Sequence, residues 1–218
     1  GAIWKKLYFR RQYINTCNEK YWFTKTGRLF LIKRITMKKL LTFVFLTFIS
    51  TALFAQISEL PDKEIPEDYG YIVKIGQQLP DISMELTDGT TVTTADLKGK
   101  IVMLQFTASW CSVCRKEMPH IESDIWQKHK DNKDFALIGV DMDEPLDIVK
   151  KFQSDMKITY PLALDPGADI FYTFAAKGAG VTRNVIVDKT GKIVYLTRLY
   201  KEDEFKEMVD VIDFLLKE

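Results

Sequence analysis

The sequence predicts an α/β sandwich in which helices flank a central mixed β-sheet. Apolar runs at residues 101–106 and 135–140 each precede a segment with helical spacing, as expected of parallel β-α-β units. Residues alternate in character on either side of Asp88-Gly89, which is typical of a hairpin. A second hairpin is predicted around Lys189-Thr190-Gly191. The sheet should therefore contain parallel and antiparallel strands.

The predicted elements follow one another as hairpin, strand, helix, strand, helix, strand, helix, hairpin and helix. The run 101–106 is apolar except for Gln105, which suits a central strand covered on both faces. Pro145 favours a helix start because the first helical residue needs no N–H. The predicted strands are 83–86, 90–93, 101–106, 135–140, 162–165, 184–188 and 192–196. The predicted helices run from the cysteine pair described next to about residue 130, from 145 to about 156, over 170–174 and from about 202 onward.

Two cysteines, Cys111 and Cys114, lie where the apolar run 101–106 meets the first predicted helix. A thiol at a helix N-terminus faces unpaired backbone N–H groups and the positive end of the helix dipole, and both stabilise the thiolate. With two residues between them, the sulfurs can close a small disulfide ring. Cys111 can therefore attack a disulfide and Cys114 can resolve the product, which predicts redox chemistry.

A C-x-x-C pair can also belong to a zinc site or form a structural disulfide. A zinc site needs two further ligands, and the histidines of the chain are His120 and His129. Their separation corresponds to about 900° of helical rotation, which predicts opposite sides of one helix. A disulfide that closes so short a loop constrains little of the unfolded chain. The sequence therefore favours a redox pair, with both histidines on the helix surface and no metal.

The charge of the chain is unevenly distributed. The formal net charge is +1, from 31 basic and 30 acidic residues. Eleven of the basic residues and one acid precede Gln56, which leaves 20 basic and 29 acidic residues from there onward. The folded part should thus carry about −9, which argues against a nucleic-acid partner.

Residues 37–55 have the pattern of a secretory signal peptide, with Met37-Lys38-Lys39 followed by a mostly apolar run that ends in small residues. Cleavage is expected after Ala55 or after Ala52, and export would place the chain in the periplasm or cell envelope. The apolar run is shorter than the roughly 20 residues that a membrane span needs, which favours a cleaved signal peptide. An uncleaved membrane anchor is the alternative.

Three further segments complete the predicted domain organisation. Residues 1–36 are interpreted as mis-assigned upstream sequence or a disordered tail, because a signal peptide does not normally follow a basic aromatic segment. Residues 56–74 are acidic, contain prolines and are predicted to be a linker. Residues 75–218 form the predicted folded domain.

The segment 106–119, Phe-Thr-Ala-Ser-Trp-Cys-Ser-Val-Cys-Arg-Lys-Glu-Met-Pro, resembles the active-site segment of thioredoxin-like proteins. The resemblance is closest to extracytoplasmic TlpA/ResA-type thiol-disulfide oxidoreductases, which are related to AhpC/TSA-redoxin proteins. It covers residues 75–218, including both hairpins. It implies a thioredoxin-like three-layer sandwich with an N-terminal β-hairpin. In such proteins the first cysteine, here Cys111, is the nucleophile, and the second, here Cys114, resolves the mixed disulfide.

The resemblance also implies partners. They are proteins that contain disulfides or thiols, together with an upstream thiol-disulfide donor that can be membrane-bound. Cytochrome c maturation and envelope redox homeostasis are roles of this kind. The sequence contains no nicotinamide or flavin motif, so no cofactor is predicted.

An acidic residue, Glu117, follows Cys114 by three positions and so shares its helix face. Half-buried beside thiols, its carboxyl would have a raised pKa and could exchange a proton with Cys114. In ResA-type relatives an acid at this position has that kind of role. Gln105 occupies the position of a buried aspartate in thioredoxin and cannot titrate, which favours this role. The alternative is a solvated helix residue.

The sequence departs from the family where thioredoxins carry a cis-proline that faces the cysteines. Thr182 occupies this position, and a cis bond before a residue other than proline costs about 2.5–4 kcal/mol, so a trans bond is predicted. The backbone of Val181 could pair with a substrate strand. Arg183 could stabilise the Cys111 thiolate or be a strand-edge cation. Together with Trp110, these three residues are the predicted substrate-binding residues.

Two other functions remain as alternatives. Peroxiredoxins also lack the proline and often have a nearby arginine, which makes a thiol peroxidase the second hypothesis. Their motif places threonine three residues before the reactive cysteine, where this chain has Ala108. The third hypothesis is a redox-regulated binding module, which would have reactive cysteines but no turnover.

Overall fold

The structure is a computed structural model that describes residues 20–23, 29–32 and 64–217. The chain divides into two compact units, Gly1–Glu59 and Leu60–Glu218. Within the first unit, strands Lys20–Phe23 and Leu29–Ile32 pair in antiparallel fashion. The predicted signal segment 37–55 with its cleavage sites, and the start of the predicted linker up to residue 63, lie outside the described residues.

The second unit contains a seven-stranded mixed sheet. Its strands are β1 (Ser83–Leu86), β2 (Thr91–Thr93), β3 (Ile101–Thr107), β4 (Phe135–Met142), β5 (Leu162–Asp165), β6 (Arg183–Val187) and β7 (Ile193–Arg198). Their order across the sheet is β2-β1-β5-β4-β3-β6-β7. The central strand β3 pairs in parallel with β4 and in antiparallel fashion with β6, and β4 pairs in parallel with β5. All seven predicted strands are confirmed, and none of their ends differs from the prediction by more than two residues.

Among the described residues, four α-helices longer than one turn accompany the sheet: α1 (Ser112–His120), α2 (Leu146–Met156), α3 (Asp169–Phe174) and α4 (Glu202–Leu215). Short 3-10 segments lie at Glu67–Tyr69, Thr94–Leu97 and Pro166–Ala168. The mixed sheet with helices on both sides confirms the predicted thioredoxin-like sandwich. Among the described residues, no helix is both long and apolar enough to cross a membrane.

The first predicted helix is not a regular α-helix throughout. After α1 the chain winds as a π-helix over Ile121–Trp126 and ends in one α-helical turn, Gln127–His129. Because a π-helix has more residues per turn than an α-helix, it rotates the following residues back around the axis.

The two histidines therefore do not face opposite sides of this helix, and that prediction is wrong. His120 stacks on Tyr200, just before α4, with ring centroids 5.2 Å apart. His129 Nε2 lies 2.7 Å from Oδ1 of Asp213, which is in α4. His120 is exposed as expected, whereas His129 is half-buried between these elements.

The alternation of side chains along β3 assigns each residue to one of the two helical layers. Phe106 packs against Phe171 and Phe174 of α3, with ring centroids 5.6 and 5.2 Å apart. Thr107 points to the other face, where its hydroxyl lies 3.3 Å from Sδ of Met118 in α1. All seven residues of β3 are buried. The cysteine helix thus lies on the Gln105 and Thr107 face of the sheet.

Candidate redox site

The two cysteines lie just beyond the carboxyl end of β3. Cys111 is the N-cap of α1, and its Sγ accepts a hydrogen bond from the backbone N–H of Cys114 at 3.2 Å. The two residues form a disulfide, with their Cα atoms 5.3 Å apart. Cys111 retains 8% exposure and Cys114 none. An approaching thiolate can therefore reach Cys111 but not Cys114, which agrees with the assignment of attack to the first cysteine.

Thr182 lies directly against the disulfide. Its Oγ1 is 3.1 Å from Sγ of Cys111 and 3.2 Å from Sγ of Cys114. The predicted trans bond before Thr182 is confirmed, since the described residues contain no cis peptide bond. The Thr182 hydroxyl thus lies at the position that thioredoxins fill with a proline. This hydroxyl can donate a hydrogen bond to whichever sulfur carries a negative charge.

Glu117 is buried, with 1% exposure, so the alternative of a solvated helix residue is wrong. Its Oε1 accepts a hydrogen bond from Nδ2 of Asn184 at 2.7 Å. Its Oε2 has no hydrogen-bond partner within 64–217. Asn184 is two residues beyond Thr182, so strand alternation places both side chains on the cysteine face of the sheet. Segment 182–184 therefore carries contacts to the disulfide and to the carboxyl.

Burial raises the pKa of Glu117 from 4.5 to about 7, because removal from water disfavours the charged form. The hydrogen bond from Asn184 lowers the pKa, as does the nearby amide of Gln105, and Glu204 raises it slightly. The Gln105 contact is the weaker one, since its Nε2 has no partner within hydrogen-bonding distance among the described residues. Desolvation is the dominant effect, and it produces a carboxyl that can both accept and return a proton near neutral pH.

Glu117 belongs to a buried polar row that crosses three strands. The backbone register pairs Gln105 of β3 with Asn184 of β6, and Asn184 with Thr197 of β7. Asn184 Nδ2 also donates to Thr197 Oγ1 at 2.9 Å, and the Tyr160 hydroxyl donates to Gln105 Oε1 at 2.7 Å. Asn184 was missed by the sequence analysis. A polar residue that begins an otherwise apolar strand run was the available signal.

The remaining predicted binding residues differ in exposure. Trp110 is 65% exposed and projects beside Cys111. The side chain of Val181 is buried, while the carbonyl of Thr182 accepts from the N–H of Leu199 at 3.2 Å. The sequence alone did not indicate which of these residues would face solvent.

Arg183 is fully buried, so a strand-edge cation is the wrong description of it. Its guanidinium carbon lies 4.6 Å from the ring centroid of Tyr71 and 5.7 Å from that of Phe171. Its Nε donates to the carbonyl of Gly180 at 2.9 Å. Strand alternation directs Arg183 to the face opposite Thr182 and Asn184. Arg183 therefore fixes the backbone of the 180–182 segment from behind.

No cluster of three or more His, Cys, Asp or Glu side chains within the described ranges is arranged to hold a metal ion. The titratable group beside the disulfide is the buried carboxyl of Glu117. The site thus brings together two sulfurs, the Thr182 hydroxyl and a buried carboxyl.

Comparisons with known proteins agree with this geometry. Residues 74–212 match the Redoxin family. A thiol-disulfide oxidoreductase ResA of Bacillus cereus is 33% identical over 122 residues, which span 56% of this chain and 68% of the relative. The solution structure of a Bacteroides thetaiotaomicron protein provisionally assigned as a protein disulfide isomerase is 63% identical, with a TM-score of 0.67. That match covers 68% of this chain and 94% of the other.

A further solved structure supports the fold alone. It is the crystal structure of a Chlorobium tepidum protein that is provisionally assigned as the thiol:disulfide interchange protein DsbE. The TM-score is 0.56 at 24% identity, and the match covers 66% of this chain and 99% of the other. The family match spans more than half of the chain and includes both cysteines, Thr182 and Glu117. The chain therefore belongs to the redoxin family, and it is a thioredoxin-like thiol-disulfide oxidoreductase of the TlpA/ResA type.

Proposed function

We propose that this protein reduces disulfides in partner proteins outside the cytoplasm, with Glu117 as the group that accepts and returns the proton of Cys114. One observation carries the proton-transfer role. Glu117 is a fully buried carboxyl one helical turn beyond the buried Cys114, and its pKa of about 7 matches a thiol reaction near neutral pH. Such a group can change its charge without a path to bulk water.

In the reduced protein, the Cys111 thiolate attacks one sulfur of the partner disulfide. A Cys111–partner disulfide forms and one partner thiolate leaves. Cys114 then transfers its proton to Glu117 and attacks Sγ of Cys111. The Cys111–Cys114 disulfide forms, the second partner thiolate leaves, and two electrons have passed to the partner. The same steps in reverse oxidise a partner dithiol.

We assign partner binding to Trp110 and to the segment Val181–Thr182–Arg183. Exposed aromatic side chains supply much of the binding energy at protein interfaces. Backbone groups beside Thr182 can pair with an extended partner segment, which would bring its disulfide to Cys111. Arg183 would act through the Gly180 carbonyl rather than by contact with the partner.

The proposed location rests on the secretory pattern of residues 37–55. Disulfides persist outside the cytoplasm, so partner proteins with disulfides are expected there, including those handled during cytochrome c maturation. A reductant must regenerate the dithiol after each turnover. A second thiol protein or a membrane-bound redox donor would supply the electrons.

The test uses the full chain with Cys17→Ser, so that Cys111 and Cys114 are its only cysteines. We expect it to catalyse the thiol-dependent reduction of insulin, and we expect Cys111→Ser to abolish this activity. Cys114→Ser should accumulate a mixed disulfide with the partner. Normal turnover by Cys114→Ser would contradict the assigned roles, and peroxide consumption that outpaces insulin reduction would support a thiol peroxidase instead.

The pH dependence separates Glu117 from a structural role. Glu117→Gln keeps the size of the side chain but cannot accept a proton from Cys114. We expect resolution of the mixed disulfide to slow, with the neutral-pH inflection in its rate removed and formation of the mixed disulfide little changed. An unchanged inflection would refute proton transfer by Glu117. The reduction potential of the Cys111–Cys114 pair, measured on the same protein, gives the direction of electron flow.

A further inference from the structure

Ser109, two residues before Cys111, is held at three of its polar groups. Its backbone N–H donates to Oε2 of Glu144 at 2.5 Å, and its hydroxyl donates to Oε1 of the same carboxyl at 2.6 Å. Its carbonyl accepts from Nε of Arg115 at 2.7 Å. Ser109 is thus clamped between the cysteine helix and the loop after β4.

Behind Glu144 lies a second carboxyl, that of Asp141. The register of β3 with β4 places Asp141 opposite Thr107, the last residue of β3 before the cysteine loop. Asp141 has no exposed surface, and neither of its oxygens receives a hydrogen bond from an N–H or O–H group of the described residues. Burial raises the pKa of Asp141, and the neighbouring Glu144 carboxyl raises it further through its charge and a side-chain hydrogen bond. Two carboxyls can be joined in this way only when one of them carries a proton.

The hydrogen bonds indicate which carboxyl holds this proton. Glu144 already accepts two hydrogen bonds from Ser109, one on each oxygen. Asp141 accepts none of that kind and is fully buried, so it is the carboxyl that stays protonated. The O–H of Asp141 then donates a hydrogen bond to the Glu144 carboxyl, which also accepts the two hydrogen bonds from Ser109.

We propose that Asp141 and Glu144 are positioning residues of the redox site, in which a proton held by Asp141 keeps Glu144 in place as the double acceptor for Ser109. Ser109 in turn fixes the loop that presents Trp110 and Cys111 to the partner. The inference deepens the disulfide-exchange chemistry by adding a second proton-dependent pair, separate from Glu117. It concerns the geometry of the loop and not transfer of a proton to sulfur.

The surroundings of Asp141 determine how this pair responds to pH. The pKa of Asp141 is raised from 3.8 to about 8. Burial is the largest cause, followed by the nearby carboxyls of Glu144 and Asp165. Asp165, at the end of β5, is itself faced by Asp143 and by Asp169 of α3. From the α1 side the charged neighbour of the clamp is Arg115. Above about pH 8 the proton leaves Asp141, two adjacent negative charges repel, and the hold on Ser109 should weaken.

The decisive readout is the backbone amide proton of Ser109, followed by NMR against pH in the oxidised full chain with Cys17→Ser. In the disulfide form Cys111 and Cys114 do not titrate, which removes the thiols from the measurement. We expect a titration step near pH 8 that disappears in Asp141→Asn, because an asparagine side chain has no proton to lose in this range. The step should persist in Glu117→Gln and in Asp155→Asn, an exposed control in α2. A step that survives in Asp141→Asn, or that is lost in Glu117→Gln, overturns the proposal.

Kinetics test the consequence for the reaction. We expect the wild-type rate of insulin reduction to decline above pH 8 and this decline to be absent in Asp141→Asn. Glu144→Ala should lower the rate constant for attack by Cys111 roughly tenfold or more, because the loop is no longer held in place. Ser109→Ala removes the hydroxyl donor but keeps the backbone N–H donor and should not disturb the fold. It should therefore lower the rate constant for attack by Cys111 by a smaller factor. Wild-type rates in both Glu144→Ala and Ser109→Ala would overturn the positioning role.

Discussion

Asn184 donates a 2.7 Å hydrogen bond to one oxygen of Glu117, while the other oxygen of this buried carboxyl has no partner among the described residues. A single neutral hydrogen bond does not offset the loss of water around a carboxylate. The native state therefore favours the protonated form, and the pKa of Glu117 rises to about 7. This relationship underlies the proposed proton-acceptor role of Glu117 and also makes the fold sensitive to pH.

The first prediction concerns stability. Between pH 4.5 and 7 the native protein keeps the Glu117 proton that the unfolded chain has lost, so the free energy of unfolding falls as pH rises through this window. Glu117→Gln removes this fall and should make the oxidised protein roughly 3 kcal/mol more stable than the wild type above neutral pH. Urea unfolding at several pH values measures it. The exposed control Glu85→Gln should follow the wild-type curve, and a Glu117→Gln variant no more stable at high pH would contradict the shift.

The second prediction concerns Thr182, whose hydroxyl touches both sulfurs. In the reduced protein it can donate to the Cys111 thiolate, and a hydrogen bond to a charged group is worth about 1.5–3 kcal/mol. Thr182→Val keeps the shape but removes the donor, so alkylation of Cys111 at neutral pH should slow roughly tenfold. Thr182→Ser retains the hydroxyl and should react at close to the wild-type rate. Equal alkylation rates in all three proteins would rule out this contact as a source of thiolate stabilisation.

The third prediction concerns Trp110, which is 65% exposed beside a nearly buried cysteine. Trp110→Ala should leave the free energy of unfolding within about 0.5 kcal/mol of the wild type. It should lower kcat/KM for insulin roughly tenfold through KM, since exposed aromatic residues anchor interfaces. Reduction of a small disulfide should be unaffected. Ile72→Ala, at another exposed apolar position, serves as the control and should change neither activity.

The fourth prediction concerns Arg183. Burial lowers the pKa of this guanidinium, and its two terminal nitrogens lack hydrogen-bond partners within the described ranges. The cost of burying this charge should exceed its contacts with Tyr71 and Gly180, so Arg183→Met should unfold at the same or higher urea concentration. Arg183→Ala leaves a cavity and should lose roughly 2–4 kcal/mol. If Arg183→Met were as unstable as Arg183→Ala, this prediction would be wrong. The guanidinium contacts would then contribute more to stability than the burial of the charge costs.

The local sequence determined most of the secondary structure. Apolar runs such as 135–140 and turn residues such as Asp88-Gly89 act over a few residues, so strands and hairpins were predicted close to their observed bounds. The first helix was predicted with its correct extent but not its π-helical segment. That segment changes the number of residues per turn without any change in apolar character, and it moved His129 to the side of His120.

For the redox site, the sequence by itself determined the two cysteines and their place at a helix N-terminus, and it predicted their order of reaction. The two cysteines lie within four consecutive residues, so their proximity can be read from the sequence without tertiary information. Only the tertiary structure decided the surroundings of those cysteines, because the relevant side chains come from β3, β6 and the loop after β4. Strand register brings Asn184 to Glu117 and Asp141 beside the cysteine loop, and burial there changes the protonation of both carboxyls. Desolvation is a property of the packed chain, so no local pattern reports it.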